Sequence, residues 1–229
     1  MEQYLGFGGL GDCFIVGLKV LEQNTPEYLY THVDSSHNRA KIDSELLTSM
    51  GINHTVLVVS DIKTWWYSHH NEYDKCFNVF AKGYIDIPKL PYHWEPCKDE
   101  GYVSSFSANV SKTDTVAVQV NAGVGVTNRS YHKRPLVFHT LDLFPNDMVV
   151  WLGTDSNFSS SVGVNKVGQT SLKEAMDIIQ TSKAFIGFPS FFLYWALYNN
   201  TPSYIFIDHQ GTQDLRIHPD WKSLITYLE

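Results

Sequence analysis

Four glycines and one acid stand within seven residues, Gly6-Phe7-Gly8-Gly9-Leu10-Gly11-Asp12, directly before an apolar segment. Glycine reaches positive φ and lets a bound group come close to the backbone. A helix opening behind such a turn offers backbone N–H groups and a partial positive charge. The turn suits a phosphate, or a substrate held beside Asp12. Gly6, Gly8 and Gly11 also satisfy G-x-G-x-x-G, and Asp34 follows at roughly the ~20-residue distance expected of a ribose-binding acid. That second pattern points to an NAD(P)-binding oxidoreductase. A tight turn without a ligand is the bland alternative, but four glycines cost stability unless something uses them.

A second candidate is Ile186-Gly187-Phe188-Pro189-Ser190-Phe191, which reads as strand, turn and helix start. Ser190 is placed to cap that helix. The amides of Phe191 and Phe192 are placed to meet an anion. Arg129 lies in a glycine-containing loop, with Lys133 and Arg134 after it. Its planar fork suits a diphosphate, and a solvated loop charge is the plain alternative.

The chain has 10 histidines, yet no H-E-x-x-H and no convincing His/Asp spacing. No metal ligand is expected from linear spacing. There is no D-x-D triplet, no G-x-S-x-G and no P-loop.

The elements that must hold these residues alternate. A strand stub at Tyr4-Leu5 precedes the glycine turn. A helix is expected over 12–23, a strand over Glu27–Val33, a helix over Lys41–Met50 ended by Gly51, and a strand over Val56–Val59. A helix and an irregular connector follow to about residue 100. Strands are then expected at Thr115–Val120, Met148–Leu152, Ala184–Ile186 and Tyr204–Ile207. Helices are expected at Pro135–Leu143, after the capping box Ser171-Leu172-Lys173-Glu174, at Ser190–Tyr198, and from Pro219. Strand–helix alternation twice over implies an α/β protein of two Rossmann-like domains, 1–112 and 113–229, each with a parallel sheet. Ligands of such folds sit at strand C-terminal ends, often in a cleft between domains.

The totals narrow the function. In 229 residues, 43% are hydrophobic, enough for packed cores. The formal charge of −7, without a basic run, disfavours a duplex-coating nucleic-acid binder. Three cysteines (Cys13, Cys76, Cys97) with no C-x-x-C disfavour a disulfide scaffold. Cys13 reads as a small buried residue. No signal pattern opens the chain, and the most apolar stretch, Ala184 to Tyr198, is too short for a bilayer span. A soluble, cytoplasmic protein is expected.

Two segments together resemble the ADP-heptose:lipopolysaccharide heptosyltransferases, glycosyltransferases of the GT-B fold. Gly8-Gly9-Leu10-Gly11-Asp12 matches the family's opening turn. Val167-Gly168-Gln169-Thr170-Ser171-Leu172-Lys173-Glu174, Ala184 to Ser190, Ala196-Leu197 and Thr201-Pro202 match its C-terminal motif without a gap. The resemblance implies two Rossmann-like domains facing across a cleft, with the acceptor side first. It implies that Asp12 is the catalytic base and that Gly8, Gly9 and Gly11 form the acceptor-side loop. It implies that Arg129, Thr170, Ser190, Phe191, Phe192 and Tyr194 lie at the nucleotide-sugar site. The implied reaction is inverting transfer of a sugar from a nucleotide-diphosphate donor to a glycan, lipid or other hydroxyl acceptor. It needs no cofactor and no obligatory metal. The family's usual acid before Ser190 is Pro189 here, and its usual histidine is Tyr194. Those two changes support a third reading, a catalytically inactive relative that still binds nucleotide or glycan.

Overall fold

The computed structural model describes residues 1–22, 25–77, 93–94, 110–121, 134–154, 158–206 and 219–228. The chain divides into two compact units, Met1–Ser104 and Ser105–Glu229.

The first unit begins with strand β1 (Glu2–Phe7), followed by helix α1 (Leu10–Glu22), β2 (Tyr28–Asp34), α2 (His37–Ser49) and β3 (His54–Val58). Helix α3 (Ile62–His69), a 3-10 turn (His70–Glu72), β4 (Lys75–Phe77) and β5 (His93–Trp94) complete the described part. The strands lie in the order β3-β2-β1-β4-β5, and every pairing is parallel. This is the doubly wound order, in which strand sequence reverses beside β1. Strands buried on both faces become nearly continuous apolar runs. Leu5 and Phe7 accordingly pack with Val33, Tyr73 and Trp65 on one side. Phe14, Ile15 and Leu18 of α1, and Leu46 and Leu47 of α2, are also buried.

The second unit runs β6 (Thr113–Gln119), α4 (Arg134–Leu141), β7 (Met148–Leu152), β8 (Val164–Asn165), α5 (Leu172–Thr181), β9 (Ser182–Gly187), α6 (Phe191–Tyr198), β10 (Ser203–Phe206) and β11 (Ile225–Leu228). Its sheet order is β11-β10-β9-β6-β7-β8, again wholly parallel. Read from the other edge, the first three strands run outward from β6 and the next three run outward from β9. The reversal therefore falls between β6 and β9. Val116, Val118, Trp151, Ala184 and Ile186 form the centre of its core. Helix α5 begins with the expected capping box. The Glu174 amide donates to Ser171 Oγ at 3.2 Å, and the Ser171 amide donates to Glu174 Oε2 at 2.7 Å.

Three expectations are corrected. Helix α2 starts at His37, not Lys41, because the chain turns at Asp34: the Ser36 amide donates to the Asp34 carboxylate at 3.0 Å. The helix expected from Pro219 is a 3-10 turn, Pro219–Leu224. The β-favouring run Ile225-Thr226-Tyr227 then pairs as a strand with β10. The strand stub at Tyr4-Leu5 is a full six-residue strand.

The amphipathic reading of α5 is testable. Ile179 is fully buried, whereas Lys173 stands exposed and pairs with Asp177. Ile179→Ala should cost about 2–5 kcal/mol, read as a lowered urea midpoint. Lys173→Ala should leave that midpoint almost unchanged.

Candidate functional site

Asp12 and Asp34 in the first unit, and Thr170 and Ser190 in the second, all singled out by sequence, lie at the C-terminal end of the strands. In the first unit β1 ends at Phe7, and Gly8 and Gly9 turn the chain into α1. Gly8 has φ +132, and a Cβ there would lie 2.7 Å from Asp12 Cβ and Oδ2. Only glycine fits that position. Asp12 is the third residue of α1, and its Oδ2 accepts the Gly9 amide at 2.7 Å. The carboxylate thus stands over the turn and compensates the positive helix start.

Arg39 of α2 reaches the same turn. Its Nη2 donates to the Gly8 carbonyl at 2.7 Å, and its Nε lies 3.3 Å from Asp34 Oδ2. Arg39 is 49% exposed and Asp34 only 2%. A Cβ on Gly9 would touch both Asp12 Oδ2 and Arg39 Nη2. Carboxylate and guanidinium therefore flank one short piece of partly exposed backbone. Sequence reading missed Arg39, since nothing in its neighbourhood marks it.

The oxidoreductase pattern finds a different use here. A Cβ on Gly6 would sit 2.5 Å from the Tyr30 hydroxyl, so that glycine makes room for a buried tyrosine. Asp34 is held by the Ser36 amide and by Arg39, beneath the surface. A ribose-binding acid must offer its carboxylate to a hydroxyl. This one is already committed.

Behind the turn, Tyr30, His32 and Asp34 share one face of β2 at alternating positions, and all three are buried. The Tyr30 hydroxyl and His32 Nδ1 lie 2.7 Å apart. His32 Nε2 faces Asp43 Oδ2 at 3.3 Å. Burial raises the Asp43 carboxyl from its usual value, against the pull of His32, and the neighbouring Asp34 adds to the rise. Burial likewise pushes the Cys13 thiol well up. Linear spacing hid Cys13, His32 and Asp43 as a group because they come from three elements. The signal available was a Tyr-x-His-x-Asp face on a strand.

In the second unit the reversal point lies at the ends of β6 and β9. Ser190 Oγ donates to Gln119 Oε1 at 3.0 Å across that point. Ser190 occupies the N-cap position of α6 in extended conformation, but its side chain makes no cap bond. The expected capping role is replaced by the tie to Gln119, a residue the sequence reading did not single out. Intrahelical bonding starts with Leu193 and Tyr194, both donating to the Ser190 carbonyl. The amides of Phe191 and Phe192 precede it. Gly187 has no space for a side chain, since a Cβ would meet the Phe185 ring at 2.7 Å and Gln119 Cβ at 3.0 Å.

Thr170 precedes the α5 cap in a turn at the same end of the sheet. That turn is anchored by the Gly168 amide on the Gly153 carbonyl at 2.8 Å. Asn121 holds the far side of Gly153, accepting the Thr154 amide and donating to its hydroxyl. Tyr194 is half-buried on α6. Arg129 and Lys133 lie outside the described residues.

Solved structures of known proteins match this architecture end to end. The chain is similar over 100% of its length to E. coli ADP-heptose lps heptosyltransferase II, with TM-score 0.56, 12% identity and 90% of that chain covered. It is similar to a family 9 glycosyl transferase from Veillonella parvula, with TM-score 0.59, 11% identity and 87% of that chain covered. The fold is that of the heptosyltransferase-like glycosyltransferases. A third match, the iron-containing dodecameric glycosyltransferase TibC of enterotoxigenic E. coli, has TM-score 0.58 and 12% identity, and the chain spans 62% of it. No family model matches the sequence, and no curated protein is a significant match. Among the described residues, no helix is long and apolar enough to cross a membrane.

The glycine turn carries its own prediction. Gly8→Ala forces a strained φ and a clash with Asp12. It should destabilise the protein by about 1–3 kcal/mol. An unchanged urea midpoint would show that the turn is looser than described.

Proposed function

We propose that the chain is a glycosyltransferase that moves a sugar from a nucleotide-diphosphate donor to an acceptor hydroxyl, with inversion and without a metal at the transfer step. The acceptor side is residues 1–112, and the donor side is residues 113–229. The observation that carries this reading is the placement of both candidate sites. In each doubly wound sheet the chemically capable residues occupy the end of the strands at the topological reversal, where such folds bind ligands.

Each residue then has a role. Asp12 accepts the proton of the acceptor hydroxyl as its oxygen attacks the anomeric carbon. Its bond to the Gly9 amide fixes its direction. The anomeric C–O bond breaks on the opposite face, and the diphosphate leaves. Charge growing on that diphosphate is met by the start of α6, at Ser190, Phe191 and Phe192, and by Arg129. Thr170 and Tyr194 border the nucleoside. Arg39, beside Asp12, offers a cation to an anionic acceptor. Three cysteines without a pairing pattern fit a reducing compartment, and we place the reaction in the cytoplasm.

Asp12→Asn tests the assignment cleanly. Asparagine retains an oxygen for the Gly9 amide, so the turn persists while the base is lost. Turnover of a competent nucleotide-sugar should fall about 10²–10⁴-fold, with nucleotide affinity nearly unchanged. Equal turnover in the variant removes Asp12 from its role. A wild-type chain that binds nucleotide-sugar but never turns it over is instead the inactive relative that Pro189 and Tyr194 suggest.

A further inference from the structure

Cys13 of α1, His32 of β2 and Asp43 of α2 meet in the core of the first unit. Their sulfur, nitrogen and oxygen atoms all lie within 4.8 Å of one another, and all three residues are buried. His32 Nε2 and Asp43 Oδ2 face each other at 3.3 Å, and among the described residues neither has a well-formed hydrogen bond. Buried polar atoms are almost always satisfied. A loosely bonded His–Asp pair with a thiol beside it is the arrangement that a shared ion would hold. We infer that the Cys13 thiolate, His32 Nε2 and Asp43 Oδ2 bind a divalent transition-metal ion of the zinc type behind the glycine turn.

The geometry fits the ion. Tetrahedral bonds of about 2.0 Å to nitrogen and oxygen hold those two atoms about 3.3 Å apart. The imidazole is already oriented for the task. Nδ1 lies 2.7 Å from the Tyr30 hydroxyl. With its proton donated there, the Nε2 lone pair points at the cluster, the usual outer support of a metal-bound histidine. The fourth place falls to water, since Asp34 is engaged by the Ser36 amide and Arg39. Arg39 is the cation beside Asp34, and it serves the glycine turn as well.

The donor set selects the metal. Thiolate, imidazole and carboxylate together suit Zn²⁺ and its first-row neighbours, and disfavour Mg²⁺ and Ca²⁺. A zinc-type ion takes the cysteine as its thiolate, so the Cys13 thiol must lose its proton to bind it. Uptake of the ion therefore releases that proton. The ion is structural. It joins the first turn of α1 to β2 and α2, one residue past Asp12. The site stands whether or not the chain is a transferase.

Cobalt is the probe. The full chain, stripped with chelator, is titrated with CoCl₂. One cobalt per chain should produce a near-ultraviolet thiolate charge-transfer band and visible bands of a tetrahedral ion, and should raise Tm. Cys13→Ser should lose the near-ultraviolet band. Tyr30→Phe keeps the ring in place and should retain the band with about 10–100-fold weaker binding. A folded wild-type chain without the thiolate band overturns the site, as does a band that persists in Cys13→Ser. Equal affinity in Tyr30→Phe overturns the role given to His32.

Discussion

A strand is joined to a parallel neighbour only by a crossover that carries the chain back to the end of the sheet where the first strand began. Every loop leaving a strand in such a sheet therefore emerges at the same end. That constraint organises both units of this chain. It gathers the Gly8–Asp12 turn and Asp34 at the end of one sheet. At the end of the other it gathers Gln119, Gly153, the Thr170 turn and Ser190. Sequence neighbours are few in either set. The chemistry is assembled by topology, and hydrogen bonding then fixes the details.

Within the first unit those details form one connected polar path. The Gly8 carbonyl is held by Arg39, Arg39 by Asp34, and Asp34 lies beside Asp43, which faces His32 and so leads to Tyr30. Buried polar groups are expensive unless satisfied, so this path constrains where α1 and α2 can sit. Asp12 is at its outer end, with the carboxylate bonded to the turn it overlooks. A carboxylate held in this way has a fixed direction. In the second unit the equivalent constraint is simpler. Phe185 and Gln119 leave no room for a side chain at Gly187, and Ser190 bonds Gln119 across the strand ends.

Periodicity made most of the fold legible. The Met148–Leu152 strand and the Ser171–Glu174 capping box stand as read, since burial pattern and cap chemistry agree there. The last segment misled because Pro219 is a good helix start, whereas the Ile225–Leu228 strand exists only through its pairing with β10. The glycine turn and the Ser190 turn were legible because both use residues with few other purposes. Arg39, Gln119 and the Cys13–His32–Asp43 group were not. Each becomes meaningful only when separate elements are brought together, and single-sequence spacing carries no trace of that. Ser190 shows the limit well: its type fits a cap, but a neighbouring strand offers a better acceptor.

The central claim is that the second unit's strand ends hold a nucleotide-diphosphate. Thermal unfolding of the full chain against a panel of nucleoside diphosphates, their sugars and reduced nicotinamide dinucleotides tests it directly, since a ligand that binds the native state raises Tm. The account predicts a saturable rise with a nucleoside diphosphate and its sugar. No shift with any of them, or a shift confined to the nicotinamide dinucleotides, would contradict it.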